Sequence, residues 1–194
     1  MVSELGPLSA CTMLRTLICC CTRVSKLGPL SACTLLRTLD CRVTGVSELG
    51  PLSACPKLQT LKCSNCSRVS ELRPLSACPM LQTLDCSVTK VSDLGPLSAC
   101  TMLQTLDCRD TGVSELGPLS ACPKLQTLDC SNCPRVSELG PLSACTMLQS
   151  LTCGCLLPTL ARALRGACPN LRIVEKEEQD IEAYAAFGHG LWRA

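Results

Sequence analysis

The chain has 194 residues, a formal net charge of +2 and a hydrophobic fraction of 46%, which fit one soluble domain with a substantial core. So small a net charge gives no long-range attraction to nucleic acid or to an anionic membrane, and no apolar run approaches the roughly 18 residues that cross a bilayer. We therefore expect neither nucleic acid nor membrane as a partner. Aromatic residues make up only 2% of the chain, so leucine and cysteine must fill the core.

A phrase that begins Val-Ser-(Glu, Lys or Asp)-Leu recurs at intervals of 22 or 23 residues. Its copies start near residues 2, 24, 46, 69, 91, 113 and 136. Between copies the apolar positions follow the pattern L-x-x-L-x-C-x-x-T-x-V-x-x-L-x-x-L-x-x-C. A repeat of this length is typical of a solenoid, in which each coil buries its apolar edge only by stacking on its neighbours.

Each repeat contains one short strand and one irregular return. Around Leu106 and Cys108 the sequence alternates, which places these two residues on one face of a strand and Asp107 on the other. Stacked coils would pair these strands in parallel, about 4.8 Å apart. Pro118, in the phrase Leu-Gly-Pro-Leu, then interrupts regular pairing and favours a 3₁₀ or extended path on the far side.

The last repeat, 156–174, departs from this scheme. Its strand phrase puts Leu171 and Val174 where the preceding repeat has Leu148 and Leu151. The segment Leu-Leu-Pro-Thr-Leu-Ala-Arg-Ala-Leu-Arg-Gly predicts an α-helix with proline in its first turn and glycine at its end. We expect a solenoid over 1–174, followed by a capping amphipathic helix and tail over 175–194.

The repeat resembles the leucine-rich repeat, whose core phrase is L-x-x-L-x-L-x-x-(N/C)-x-L, with Cys here in the third slot and Thr or Cys in the fourth. Its 22-residue spacing and Val-Ser-Glu-Leu-Gly-Pro-Leu phrase are similar to the short repeats of bacterial internalins and of a protein phosphatase-1 regulatory subunit. Two longer units, at Cys63 to Val69 and Cys130 to Val136, resemble the cysteine-containing subclass. The resemblance implies an α/β solenoid, a right-handed horseshoe with about eight parallel strands on its concave side and a mostly 3₁₀ or irregular convex side. It also implies a role in binding proteins.

Cysteine is frequent, with 20 residues in the chain, and most fall in two columns that recur once per repeat. The columns are Cys11, Cys33, Cys55, Cys78, Cys100, Cys122, Cys145 and Cys168, and Cys19, Cys41, Cys63, Cys86, Cys108, Cys130 and Cys153. Equivalent side chains of stacked coils point the same way, so their Cβ atoms stay farther apart than the ~3.8 Å of a disulfide. We expect a reduced ladder of buried thiols. Cys20 is expected to face solvent and to be the most reactive thiol.

Two C-x-x-C motifs, at Cys63 to Cys66 and Cys130 to Cys133, raise the alternative of a redox or metal-handling protein. They lie three repeats apart, roughly 14 Å at one strand spacing per repeat, which is too far to share one ion. The single histidine, His189, lies between two glycines without triad partners. We therefore expect no enzyme, no catalytic residue, no metal and no cofactor.

The sequence starts inside a repeat, without the basic and apolar regions of a signal peptide. Together with the many cysteines, this predicts an intracellular, reducing, cytoplasmic location, although an incomplete N-terminus would leave secretion open. The first strand would then present an uncapped edge, at which self-association is expected. The near-identity of the repeats supports a further alternative, a fragment of a larger expanded repeat protein without a dedicated partner.

The concave strand face carries the main functional hypothesis. Three aspartates, Asp85, Asp107 and Asp129, would lie in register about 5 Å apart and repel one another unless Arg109 or a partner compensates. This predicts a protein partner with a basic surface; the alternative is a face copied with the repeat and selected only for solubility. The predicted partner-binding residues are Lys62, Thr83, Asp85, Thr105, Asp107, Arg109, Thr127 and Asp129.

Overall fold

The computed structural model describes residues 3–154 and 158–175. Eight short strands form one parallel sheet in chain order, which confirms the predicted sheet. The strands are β1 Thr16–Ile18, β2 Thr38–Asp40, β3 Thr60–Lys62, β4 Thr83–Asp85, β5 Thr105–Asp107, β6 Thr127–Asp129, β7 Ser150–Cys153 and β8 Arg172–Glu175. Each strand therefore pairs with the strands of the coils before and after it.

Strands β1 to β7 stack without an offset. Between β5 and β6, for example, Thr105 pairs with Thr127 and Asp107 with Asp129. Because side chains alternate along a strand, the central leucine points inward while the residues on either side point outward. Leu106 of β5 is fully buried, as its equivalents in β2 to β4, β6 and β7 are.

The return path of each of the first seven coils contains a five-residue 3₁₀ helix, as the proline in the phrase predicts. These helices are Gly6–Ala10, Gly28–Ala32, Gly50–Ala54, Arg73–Ala77, Gly95–Ala99, Gly117–Ala121 and Gly140–Ala144. Proline occupies the first turn, where its missing N–H leaves no bond unmade. In the fifth helix the Ser98 hydroxyl donates to the Gly95 carbonyl at 2.7 Å, and Leu97 points into the core.

A tight turn follows each of the first six strands, and one residue of each turn is left-handed, with φ between 54° and 58°. These residues are Cys21, Val43, Asn65, Val88, Asp110 and Asn132. Asn and Asp tolerate this conformation, whereas a β-branched side chain crowds the backbone there. Two of the six turns, at Val43 and Val88, are therefore strained by their own sequence.

The core consists almost entirely of leucine, cysteine and valine, stacked from coil to coil. The first described coil is less well packed, because no described coil lies before it. Leu14 and Leu17 are only partly buried, and Met13 is 69% exposed. Cys11, which the repeat assigns to the first cysteine column, is likewise exposed.

The last described coil has the predicted α-helix, α1, at Pro158–Ala167, and Leu164 of this helix is buried. The assignment of Val174 to the slot of Leu151 is wrong. Ile173 pairs with Leu151 and packs against the core, while Val174 is 49% exposed. Neighbouring β-branched residues both suit a strand, so the pattern alone does not decide which one points inward.

The predicted capping helix and tail of 175–194 fall, apart from the end of β8, outside the described residues. Within the described part, no helix is long and apolar enough to cross a membrane.

Candidate functional site

The outward side chains of the strands form one continuous surface, which we call the outer strand face. Its first column is Thr16, Thr38, Thr60, Thr83, Thr105, Thr127 and Ser150, and its second is Ile18, Asp40, Lys62, Asp85, Asp107, Asp129 and Thr152. Seven of the eight predicted partner-binding residues lie in the strands on this face, and the eighth, Arg109, lies two residues beyond the end of β5. The structure thus brings together the residues that the repeat placed in register.

The aspartates of this face have a structural role that the sequence analysis missed. Each accepts a hydrogen bond from the backbone N–H two residues later, at the turn after the strand. For Asp85 the donor is Ser87, at 3.2 Å, and the Ser87 hydroxyl adds a second bond at 2.7 Å. Asp129 and Ser131 repeat this arrangement at 3.0 and 2.6 Å. The sequence does contain a signal for this bond, because an aspartate placed just before a turn often accepts the backbone N–H two residues later.

Arginine partly neutralises the three adjacent aspartates Asp85, Asp107 and Asp129, which we call the acidic run. The Arg109 guanidinium lies between two carboxylates, with Nε 3.6 Å from Asp107 and Nη1 3.8 Å from Asp129. Arg109 therefore compensates the repulsion between these aspartates, as the sequence analysis allowed. Three coils earlier in the sheet, Arg42 contacts both carboxylate oxygens of Asp40, at 2.9 and 2.7 Å. That hydrogen bonding lowers the pKa of Asp40.

Asp107 lies at the centre of the run and responds differently. Burial, reinforced by the neighbouring charges of Asp129 and Asp85, raises the pKa of Asp107 to about 6, although Arg109 opposes the shift. The ionised form of Asp107 is therefore disfavoured on the outer strand face. A basic group brought close by another molecule would favour the ionised form.

The first cysteine column also does more than fill space. From the second coil onward each of its thiols lies close to a backbone carbonyl of the preceding coil. Cys100 Sγ is 3.4 Å from the Leu75 carbonyl, and Cys145 Sγ is 3.3 Å from that of Leu119. Each of these two carbonyls already accepts the backbone N–H of the cysteine three residues later, at 2.9 Å, and the thiol of the following coil adds a second donor. Cysteine combines an apolar body with a weak donor, which explains why the repeat uses it here.

No three His, Cys, Asp or Glu side chains among residues 3–154 and 158–175 are arranged to hold a metal ion. Among the cysteines that the structure describes, Cys20, the predicted reactive thiol, is half-buried, and Cys11 and Cys21 are exposed. Cys21 lies in the left-handed turn that follows β1, and the reactivity of Cys20 stays a prediction.

Comparison with known proteins agrees with this geometry. A model described as leucine-rich repeats in two copies matches residues 34–77 and 101–144. The second match begins 67 residues after the first, which is three coils. No curated protein sequence matches the chain.

Solved structures supply the fold. Internalin C2 of Listeria monocytogenes superposes with a TM-score of 0.79 and 20% identity over 90% of this chain and 76% of its own. Internalin F of the same organism superposes with a TM-score of 0.68 and 19% identity, over 92% of this chain and 61% of its own. A plant peptide hormone receptor, RGFR1 in complex with RGF2, superposes with a TM-score of 0.70 and 17% identity, over 91% of this chain and 30% of the receptor.

The architecture is thus a solenoid of parallel strands with 3₁₀ returns, shared with structures that cover most of this chain. Residues 34–77 and 101–144 match leucine-rich repeats, and the fold of the described chain is that of a leucine-rich repeat solenoid. Such domains generally mediate protein–protein interaction.

Proposed function

We propose that this protein is a non-enzymatic interaction module that binds a protein partner on the outer strand face. The observation that carries the proposal is the in-register column of hydroxyl side chains from Thr38 to Ser150, which stays partly exposed across six strands. Short side chains leave the face open to close approach by another backbone. Each further coil lengthens this surface without changing its chemistry.

The acidic run gives the partner a preferred charge. Across β4 to β6 the face carries Asp85, Asp107 and Asp129 against Arg109 alone. A partner that presents lysine or arginine to these strands would complete the compensation that Arg109 begins. The two columns contain no aromatic residue, and aromatic side chains anchor many tight interfaces. We therefore propose moderate affinity, with charge contributing mainly to orientation.

Replacing the aspartates would be a poor test, because their hydrogen bonds hold the turns after the strands. The threonines are the better target. A triple variant with Thr83→Arg, Thr105→Arg and Thr127→Arg adds bulk and positive charge to three adjacent strands. Its matched control places three arginines on exposed serines of the same coils and is Ser70→Arg, Ser92→Arg and Ser114→Arg.

The tagged native chain and both variants are used to capture proteins from a lysate of the source cell, after circular dichroism shows that all three are folded. We expect a protein held by the native chain and the serine control and lost by the threonine variant. Equal capture by the two variants, or no specific protein captured by the folded native chain, would contradict binding on the outer strand face.

A further inference from the structure

A tight turn also precedes each strand, and its second corner residue is exposed or half-buried in every coil. The N–H of the leucine that ends the turn donates to the carbonyl of the first-column cysteine three residues earlier, at 2.9 to 3.1 Å. Four of these turns have proline at the first corner, where a type I turn favours it. The second-corner residues, which we call the turn ridge, are Met13, Leu35, Lys57, Met80, Met102, Lys124, Met147 and Asn170.

Backbone hydrogen bonds hold the turns of neighbouring coils in a fixed register. The Gln82 N–H donates to the Gln59 carbonyl, and the Gln104 N–H to the Gln82 carbonyl, both at 2.8 Å. Successive ridge residues therefore lie about one strand spacing apart, ~4.8 Å. Their side chains come into contact, since Lys124 Nζ is 3.1 Å from Met102 Sδ. The turn ridge is thus a continuous row along one side of the solenoid.

Packing does not explain the apolar residues of the ridge. Met13, Met80 and Met147 follow one another at intervals of 67 residues, and their exposed fractions are 69%, 42% and 48%. Lysine occupies the same corner at positions 57 and 124, and these turns close with the same hydrogen bond, at 3.1 Å. The fold therefore does not require an apolar side chain there. Exposed methionines in a row are typical of a surface that adapts to a partner.

The charge around the ridge has one sign. The eight four-residue segments from the first corner to the residue before the strand contain no aspartate or glutamate. Their basic residues, all exposed, are Arg15, Arg37, Lys57, Lys124 and Arg172. The ion pairs between described residues involve Arg42 and Arg109 and none of these five. The ridge is therefore apolar and basic, whereas the outer strand face carries the acidic run.

We infer that the turn ridge is a second docking surface, and that its occupant is an acidic segment of a partner protein with apolar side chains between its carboxylates. The methionines provide the apolar contact, and the lysines complement the carboxylates. Lys57 and Lys124 lie three coils apart, roughly 14 Å at one strand spacing per coil, with Met80 and Met102 between them. This surface does not depend on the proposed function of the outer strand face.

Other anionic partners fit the ridge less well. The phosphates of a nucleic acid are spaced far more closely than the two lysines, and they offer the methionines no apolar contact. A membrane-binding surface usually presents a broader apolar face than one row of side chains. A polypeptide can alternate carboxylates and apolar side chains at the spacing that the ridge presents.

The test selects peptides on the immobilised full chain from a displayed library of random peptides long enough to span three coils. Fluorescence anisotropy then measures binding of the most enriched peptide to the native chain and to three variants whose folding is checked by circular dichroism. The charge variant is Lys57→Glu with Lys124→Glu, and the apolar variant is Met80→Ser with Met102→Ser. The matched control, Arg68→Glu with Lys90→Glu, removes the same positive charge from exposed positions beyond the ends of β3 and β4.

We expect the enriched peptides to combine Asp or Glu with Leu, Met or Phe. Their affinity should fall roughly tenfold or more in the charge variant and in the apolar variant, and stay unchanged in the control. Enrichment of peptides without acidic residues, or of none, would overturn the proposal. So would an equal loss in the control, because it would show attraction to net charge alone.

The competing occupants are tested with the same proteins. A single-stranded oligonucleotide and vesicles of phosphatidylserine and phosphatidylcholine are used as probes, and the oligomeric state of the native chain is measured by light scattering. Binding to either probe that the ridge variants abolish would overturn the choice of an acidic polypeptide. A dimer of the native chain that the ridge variants convert to monomer would instead identify a second copy as the occupant and overturn it too.

Discussion

The left-handed residue in the turn after β4 offers a direct test of how local strain and stacking combine. Val88 adopts φ of 54° and is 39% exposed, so little burial opposes its replacement. A left-handed conformation costs an ordinary L-residue roughly 1–2 kcal/mol, and asparagine, which occupies the equivalent turns at positions 65 and 132, tolerates it better. We expect Val88→Asn to raise the free energy of unfolding by about 1 kcal/mol.

A neighbouring coil contributes to the same prediction. Asn132 Nδ2 donates to Asp110 Oδ1 at 2.9 Å, and position 88 is the corresponding neighbour of Asp110 on its other side. An asparagine at position 88 is placed to make a similar exposed hydrogen bond. In a chain of this length about 1 kcal/mol corresponds to a rise in Tm of roughly 2–4 °C, measurable by calorimetry or circular dichroism.

Two controls isolate the cause. Val88→Ile keeps the β-branch and should give no gain, whereas Asn65→Val transfers the strain to a relaxed turn and should lose about as much as Val88→Asn gains. If Val88→Asn leaves Tm unchanged and Asn65→Val is neutral, the turn does not carry the strain that its φ angle indicates. The reasoning would then be refuted for the whole series of turns.

Two further predictions concern the buried thiols and the acidic run. Cys100→Ala removes a buried thiol and its contact with the Leu75 carbonyl at 3.4 Å, and we expect a loss of about 1–2 kcal/mol in urea unfolding; an unchanged midpoint would show that the thiol contributes no stability. Because the folded-state pKa of Asp107 is raised from 3.8 to about 6, the native state binds this proton more tightly, so its stabilising contribution is full below about pH 4 and is lost as pH rises to about 6. Asp107→Asn keeps the acceptor oxygen, and we expect it to flatten this part of the stability profile and to raise stability at pH 7 by on the order of 1 kcal/mol. A profile of unchanged slope would contradict the raised pKa of Asp107, and a flattened profile with lower stability at pH 7 would show that the contact with Arg109 outweighs the gain.

The solenoid was predictable because stacking makes every coil solve the same packing problem. Leu106 and Cys108 are buried where the alternation put them, and the proline of each return path lies in a 3₁₀ helix. A periodic pattern encodes such features once per coil, so seven copies reinforce one another. The exception, Val174, lies in the last coil, where the pattern changes and α1 replaces the 3₁₀ return.

The chemistry of the outer strand face was harder to predict. Register alone places Asp85 beside Asp107, but it does not show that each carboxylate is engaged by the backbone two residues later. The contact of the Cys66 thiol with the Cys41 carbonyl, at 3.1 Å, was likewise missed, because the nearer C-x-x-C spacing directs attention to Cys63. The longer repeats contain one extra residue, and the contacts between coils depend on the direction that this residue gives to the chain. The spacing of residues in the sequence does not indicate that direction.

The spacing of 67 residues between the two matched segments bears on how such a chain can change length over evolution. Removing residues 34–100 would join Cys33 to Thr101 and recreate the Cys-Thr junction found at both ends of the excised stretch. Unequal recombination between the two copies can therefore add or delete three coils in frame, with no new junction to be selected. Gene variants that differ by this unit would keep the same strand register while presenting a longer or shorter array of identical contacts.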